Sequence, residues 1–192
     1  KDNKKMVTKR LFTAISIPLS AQLEQSLVNL KMYLKNENIV WTNYKQLHIT
    51  LRFYGEINKI LIPEMINVLT NVASNCNYFN LELDKLMCFG DKFYPKVMFI
   101  NVKENNKLIN LKYSIDNNLK ELKSGNNVKF KPHITIARIK KINNIEKFNK
   151  VIYKFYNAFE DNVFTNEFHL YESILTPEGP IYNIIKTFVL KK

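Results

Sequence analysis

The sequence predicts an α+β fold with a mostly antiparallel sheet, assembled from two related lobes. Three observations carry that reading. Apolar and polar residues alternate through several short segments separated by turn residues, the two-residue period of half-buried strands rather than the unbroken apolar runs of a parallel sheet. Segments with leucines at helical spacing lie between them, and no Gly/Ser linker or low-complexity block divides the chain. A tetrapeptide also occurs twice, as His48-Ile49-Thr50-Leu51 and His133-Ile134-Thr135-Ile136, each copy followed by a helical segment. With 192 residues, of which 46% are hydrophobic, the chain can bury a substantial core. Residues 1–8 are expected to form a flexible tail and 9–192 a single bilobal domain.

Taken in order, residues 10–17 alternate as a strand. Pro18 then opens a helix with Leu23, Leu27, Leu30 and Leu34 on one side. Val40-Trp41 and residues 47–54 read as extended, and Gly55 ends that strand. Residues 60–73 read as a helix that tolerates Pro63 only in its first turn. Residues 78–89 and 96–102 form a strand pair joined by Gly90-Asp91-Lys92-Phe93-Tyr94-Pro95. A helix over 108–122 carries Leu108, Leu111, Ile115, Leu119 and Leu122, and Ser124-Gly125-Asn126-Asn127 stops it. Residues 128–139 form the second motif strand. Residues 145–159 are amphipathic, with aromatic side chains placed as core, and strands over 162–175 and 182–190 close the chain.

Charge and composition narrow the partners. Lys and Arg outnumber Asp and Glu by 29 to 17, giving a net charge of +12. Such a surface attracts phosphate-rich ligands at long range, although the abundance of Lys and Asn also fits a biased base composition. Cys76 and Cys88 lack metal-ligand spacing and read as thiols in a reducing compartment. The basic start followed by residues 11–19 imitates a secretory leader, but Thr13, Ser16 and Pro18 interrupt it and its alternation is that of a strand. No run approaches the ~18 apolar residues of a membrane span.

The repeated tetrapeptide carries the chemistry. In an extended strand His48 and Thr50 share one face while Ile49 and Leu51 take the other, and the second copy sorts identically. Two of the three histidines in the chain therefore sit in matching frames. His169 lacks the pattern and reads as structural. Imidazole titrates near pH 6.5, so a pair can supply one neutral base and one protonated acid at neutral pH. Two Thr hydroxyls donating to non-bridging oxygens would hold a phosphoryl group between the rings. The set suits displacement at a phosphodiester and calls for neither metal nor cofactor, because no third ligand or carboxylate cluster accompanies the histidines. Arg138 falls on the face opposite Thr135 in a regular strand, and only a bulge or a strand end would turn it toward a phosphate.

These residues resemble a family. The doubled His-x-Thr-x is similar to the two-histidine phosphoesterase superfamily, and specifically to the RNA 2′,3′-cyclic phosphodiesterases, also named 2′-5′ RNA ligases. The resemblance runs in order through Arg10-Leu11-Phe12-Thr13-Ala14-Ile15, Val40-Trp41, residues 47–56, residues 131–138, Ser173-Ile174-Leu175 and Gly179-Pro180-Ile181-Tyr182. It implies two pseudo-symmetric lobes with helices packed outside and a basic active-site groove between them. It further implies opening of a terminal RNA 2′,3′-cyclic phosphate to a 2′-phosphate without metal or cofactor, and 2′-5′ joining of tRNA halves as related chemistry. By this resemblance His133 is the base and His48 the acid, the reverse assignment staying open. Arg138, five residues after the second His, becomes a phosphate contact, and Phe12 and Tyr182 become base or ribose contacts. Lys96 stands where many relatives carry Arg, a point charge in place of a bidentate fork. A cytoplasmic monomer without membrane contact is expected. The alternatives are a 2′-5′ oligonucleotide phosphodiesterase and a non-catalytic RNA-binding module.

Overall fold

In chain order the elements are β1 (Thr8–Ser16), α1 (Ala21–Tyr33), β2 (Asn38–Trp41), β3 (His48–Asn58), α2 (Ile62–Ser74), β4 (Phe79–Gly90), β5 (Pro95–Val102), α3 (Asn106–Asn118), β6 (His133–Lys141), α4 (Ile145–Lys154), β7 (Asp161–Thr165), β8 (Glu167–Thr176) and β9 (Gly179–Val189). They come from a computed structural model that describes residues 7–122, 129–177 and 179–192. The strands form one nine-stranded sheet in the order β7-β4-β5-β6-β3-β1-β8-β9, with β2 paired on β6. All of these strand pairs are antiparallel. The fold is thus α+β with a mostly antiparallel sheet, as the alternation predicts.

The strand order has a centre. Moving outward from the β6–β3 junction, β5, β4 and β7 on one side answer β1, β8 and β9 on the other. The halves interleave along the chain. After α2, β4 joins the half containing β6, and after α4 and β7, β8 returns to the half containing β3. Among the described residues β3 and β6 meet at one register pair, Ile49↔Ile134, both of them fully buried.

All four helices bury their apolar residues against one face of the sheet. Leu23, Leu27 and Leu30 of α1, Met65 and Leu69 of α2, Leu111 and Ile115 of α3, and Phe148 of α4 share a core with Ile49, Leu51, Ile134 and Ile136. Each such side chain contributes ~1.5–3 kcal/mol of transfer free energy. The imidazole face of β3 and β6 carries instead a small separate cluster of Phe12, Ala14 and Tyr171, with Tyr182 packed on it.

Several boundaries depart from the expected ones for local reasons. Helix α1 begins at Ala21, because Ser20 accepts the Leu23 amide at 3.2 Å and caps it, so Pro18 stands before the helix. Strand β3 continues through Gly55, which turns at a φ of 72°, as far as Asn58. Helix α4 ends at Lys154, leaving Phe155 and Phe159 to pack from the turns beyond it, while Tyr153 is exposed. The last long strand is two, β7 and β8, on different sides of the sheet. The second motif strand begins at His133, and the expected stop at 124–127 lies outside the described residues. So do residues 1–6 of the expected tail, whereas Thr8 already pairs with Asn58.

Two matching bulges decide where side chains point. Between β1 and β3 the register moves from Ala14↔Thr50 to Thr13↔Arg52, so Leu51 is extra and both Leu51 and Arg52 turn into the core. Between β5 and β6 it moves from Phe99↔Thr135 to Met98↔Ala137, so Ile136 is extra and both Ile136 and Ala137 are buried. Arg138 thereby returns to the face of His133 and Thr135.

Arg52, only 6% exposed, uses its inward position to bind the end of α3. One guanidinium nitrogen donates to the Asp116 carbonyl at 3.0 Å, and the other to the Leu119 and Leu122 carbonyls at 3.0 and 2.8 Å. Asp116 also faces the guanidinium at 3.4 Å and pairs with Lys112 one turn earlier. The Leu119 carbonyl also accepts the Leu122 amide at 3.0 Å, so the guanidinium reinforces a turn that carries Leu119 and Leu122 beyond Asn118, the last residue of α3. Arg52→Ala removes three charge-assisted hydrogen bonds to carbonyls at this helix end and is expected to lower the unfolding free energy by about 3 kcal/mol. Urea denaturation checks this, and a loss below about 1 kcal/mol would show that water satisfies the helix end instead.

Candidate active site

The register at the junction assembles the site. Because Ile49 pairs with Ile134 in antiparallel sense, one step to either side puts His48 across from Thr135 and Thr50 across from His133. Residues directly opposite on antiparallel strands project from the same face. The two imidazoles and two hydroxyls therefore form a four-cornered cluster with the histidines on one diagonal and the threonines on the other. All four residues are half-buried.

Each ring is oriented by its own backbone. His48 Nδ1 lies 2.6 Å from the Gln46 carbonyl and His133 Nδ1 lies 2.7 Å from the Lys131 carbonyl. A carbonyl oxygen only accepts, so Nδ1–H donates in both rings and each Nε2 is left for proton transfer.

The surroundings differ. The His48 ring centroid is 5.3 Å from Phe12, 5.4 Å from Tyr182 and 6.4 Å from Tyr171. His133 meets Phe89 edge-on at 5.0 Å and Phe99 at 5.4 Å. Burial lowers the pKa of both imidazoles below 6.5, and the backbone hydrogen bonds partly oppose it. The charge on His133 adds a smaller depression at His48, so the two rings sense one another. At His133 the added depression comes from Lys131, whose ammonium lies 5.3 and 5.1 Å from the Phe89 and Phe99 ring centres.

Arg138 is exposed on the imidazole face. Burial raises the Tyr182 hydroxyl above its ordinary pKa, while Arg138 and Arg10 pull it down, which places two cations around that phenol. Among the described residues no group of three or more His, Cys, Asp or Glu side chains is placed to share a metal ion. None of their helices is long and apolar enough to cross a membrane.

Comparison with known proteins agrees with this architecture. The family model described as the 2′-5′ RNA ligase superfamily matches residues 39–171, a span that includes both motifs. The chain belongs to the 2′-5′ RNA ligase superfamily. It is 30% identical to the RNA 2′,3′-cyclic phosphodiesterase of Methanocaldococcus jannaschii, over 92% of this chain and 98% of that one. It is 33% identical to the RNA 2′,3′-cyclic phosphodiesterase of Aquifex aeolicus, over 93% and 94%. Among solved structures, TT0787 of Thermus thermophilus superposes with a TM-score of 0.74 at 25% identity, covering 94% of this chain and 97% of that one. Escherichia coli LigT complexed with phosphate superposes with a TM-score of 0.72 at 21% identity, covering 96% and 99%.

Within this superfamily fold, His48, Thr50, His133 and Thr135 come together, and the bulge in β6 brings Arg138 to their face. Tyr182 reaches the cluster from β9. Phe12 does not present a surface to a base: it is 1% exposed, stacked on Tyr171 at 5.0 Å and covered by His48 and Tyr182. Its contact is with the imidazole, which it dries. His169 is structural, its Nδ1 lying 2.9 Å from the Thr187 hydroxyl. Sequence reasoning missed Tyr171, Phe89, Phe99 and Arg10, which come from strands remote in the chain. Lys131 carried a signal, standing two residues before His133.

Tyr182→Ala opens one wall of the His48 pocket to water, and is expected to raise the His48 titration midpoint toward 6.5 while leaving His133 in place. Imidazole NMR titration checks this, and an unmoved His48 would assign its desolvation wholly to Phe12 and Tyr171.

Proposed function

We propose that the chain is a single bilobal phosphoesterase domain that opens RNA 2′,3′-cyclic phosphate ends to 2′-phosphates by metal-independent acid–base catalysis. The observation that carries this is the diagonal His/Thr cluster with both Nδ1 atoms tied to backbone carbonyls. The names of the M. jannaschii and A. aeolicus relatives support the substrate class.

The cyclic phosphate sits between the rings. Thr50 and Thr135 donate to its non-bridging oxygens, and Arg138 offsets its charge. His133 Nε2 takes a proton from a water that attacks phosphorus, while His48 Nε2 protonates O3′ as the P–O3′ bond breaks. One water is consumed, a 2′-phosphomonoester and a 3′-hydroxyl form, and both rings return to their starting states by exchange with solvent. Burial favours the neutral form of both rings, and Lys131 adds to this at His133, as the charge on His133 does at His48, so the direction of attack follows the family resemblance. Tyr182, whose ring centre is 5.4 Å from that of His48, contacts the terminal ribose or base in this reading.

His48→Ala and His133→Ala are each expected to lower kcat/KM by about 10²–10⁴-fold on an RNA ending in 2′,3′-cyclic phosphate. Activity should persist in EDTA, and the product should carry a 2′-phosphate by ³¹P NMR. Full turnover in either variant, or a 3′-phosphate product, would overturn the assignment.

The pH dependence follows from the direction of the shifts. Both imidazoles favour the neutral form and titrate below 6.5, so the state with one proton on the pair is most populated on the acid side of 6.5. A bell-shaped kcat/KM profile with its optimum there is expected, activity falling toward neutrality as the acid loses its proton. An optimum well above pH 7 contradicts this.

A further inference from the structure

Arg138 belongs to a second feature that the reaction above does not use. Beside it opens a cavity of about 680 Å³ between the β4–β5 loop, the start of β5 and the end of β6, within the ~300–1,000 Å³ common for ligand pockets. Its polar lining is cationic: Lys96, Arg138, Lys140 and Lys141, with no Asp or Glu among the described lining residues. Phe93 and Tyr94 stand over it, 60% and 75% exposed.

These two aromatic residues are held, not loose. Gly90 turns at a φ of 102° with the Tyr94 carbonyl only 2.5 Å from where a Cβ would lie, so the turn closes tightly at a position that admits no side chain. The Asp91 carboxylate accepts the Phe93 and Tyr94 amides at 2.7 and 3.0 Å, which fixes the loop. Asn149 of α4 donates to the Lys92 carbonyl at 3.2 Å and anchors its tip. Large exposed rings on an ordered loop lose contact with water only when a ligand covers them. Lysines beside such rings are the chemistry that binds unpaired nucleotides, whose bases stack and whose phosphates are neutralised.

We propose that this groove holds the single-stranded RNA chain immediately 5′ of the reacting nucleotide, Phe93 and Tyr94 stacking its bases and Lys96, Lys140 and Lys141 meeting its phosphates. The assignment rests on the cyclic phosphodiesterase reading of the motif site and extends it, since Arg138 lies at both the cluster and the groove. Its consequence is selectivity for RNA chains over mononucleotides. A paired end cannot offer its bases to the two rings, so the substrate is a frayed or single-stranded 3′ end.

The test compares adenosine 2′,3′-cyclic phosphate with a hexanucleotide ending in the same cyclic adenosine. The wild-type protein is expected to show at least tenfold higher kcat/KM on the hexanucleotide, through KM. The Phe93→Ala/Tyr94→Ala variant should lose that advantage about tenfold or more while keeping wild-type turnover of the mononucleotide. In Lys140→Gln/Lys141→Gln, the slope of log affinity against log salt for the hexanucleotide should fall by about 0.7 per lysine. Equal wild-type kcat/KM on both substrates, or variants that retain the full preference, would overturn the groove. Parallel loss on both substrates would overturn it too, since the side chains would then serve the fold or the reaction. Fluorescence anisotropy with a labelled hexanucleotide ending in an ordinary 3′-hydroxyl separates the two readings. Absence of turnover with binding that still depends on Phe93 and Tyr94 counts against the phosphodiesterase alone, and binding indifferent to them counts against the groove alone.

Discussion

The pairing of Ile49 with Ile134 is the constraint on which the rest depends. Among the described residues the two halves of the sheet are hydrogen-bonded at one register pair, and both side chains of that pair are sealed in the core. Because strand side chains alternate, burying those two isoleucines forces the flanking histidines and threonines onto the opposite face. A slip of one residue would bury the imidazoles and expose the isoleucines. The four helices reinforce this choice by packing on the isoleucine side, so hydrophobic burial itself determines the face on which the polar cluster appears.

Symmetry at the centre gives way to asymmetry one step further out. Both motif strands carry a bulge after the threonine, and both histidines are held by the carbonyl two residues earlier. Beyond the bulge, β3 offers Arg52 to the core and Phe53 to the imidazole face, whereas β6 offers Ala137 and Arg138. Arg52 ties the end of α3 to β3, while Arg138 carries charge to the site. The rings likewise sit in unlike settings. His48 is walled by Phe12, Tyr171 and Tyr182, and His133 has two phenylalanines with a lysine lying over them. Identical tetrapeptides thus acquire different electrostatics from neighbours supplied by other strands.

The basic excess has a location as well as a magnitude. A net charge of +12 alone describes long-range attraction to any polyanion. Lys96, Arg138, Lys140 and Lys141 gather along the joined ends of β5 and β6 beside Phe93 and Tyr94, so part of that charge is concentrated at one place on the surface.

The sequence by itself determined the α+β class, the helical segments and the pairing of each His with its Thr on one strand face. These depend on local periodicity, and His48, Thr50, His133 and Thr135 were legible for that reason. Arg138 was legible only through family resemblance, since a regular strand turns it the wrong way and a bulge is invisible to two-residue alternation. Tertiary structure alone decided the interleaving of the halves, the early end of α3, the split of β7 from β8 and the inward turn of Arg52. It also decided the surroundings of each ring. The family resemblance makes Phe12 a substrate contact, whereas its burial depends on Tyr171 and Tyr182, which are distant in the chain. Phe89, Phe99 and Arg10 were missed for the same physical reason: a side chain's environment is set by non-local strand register, while a linear pattern records only the period of its own strand.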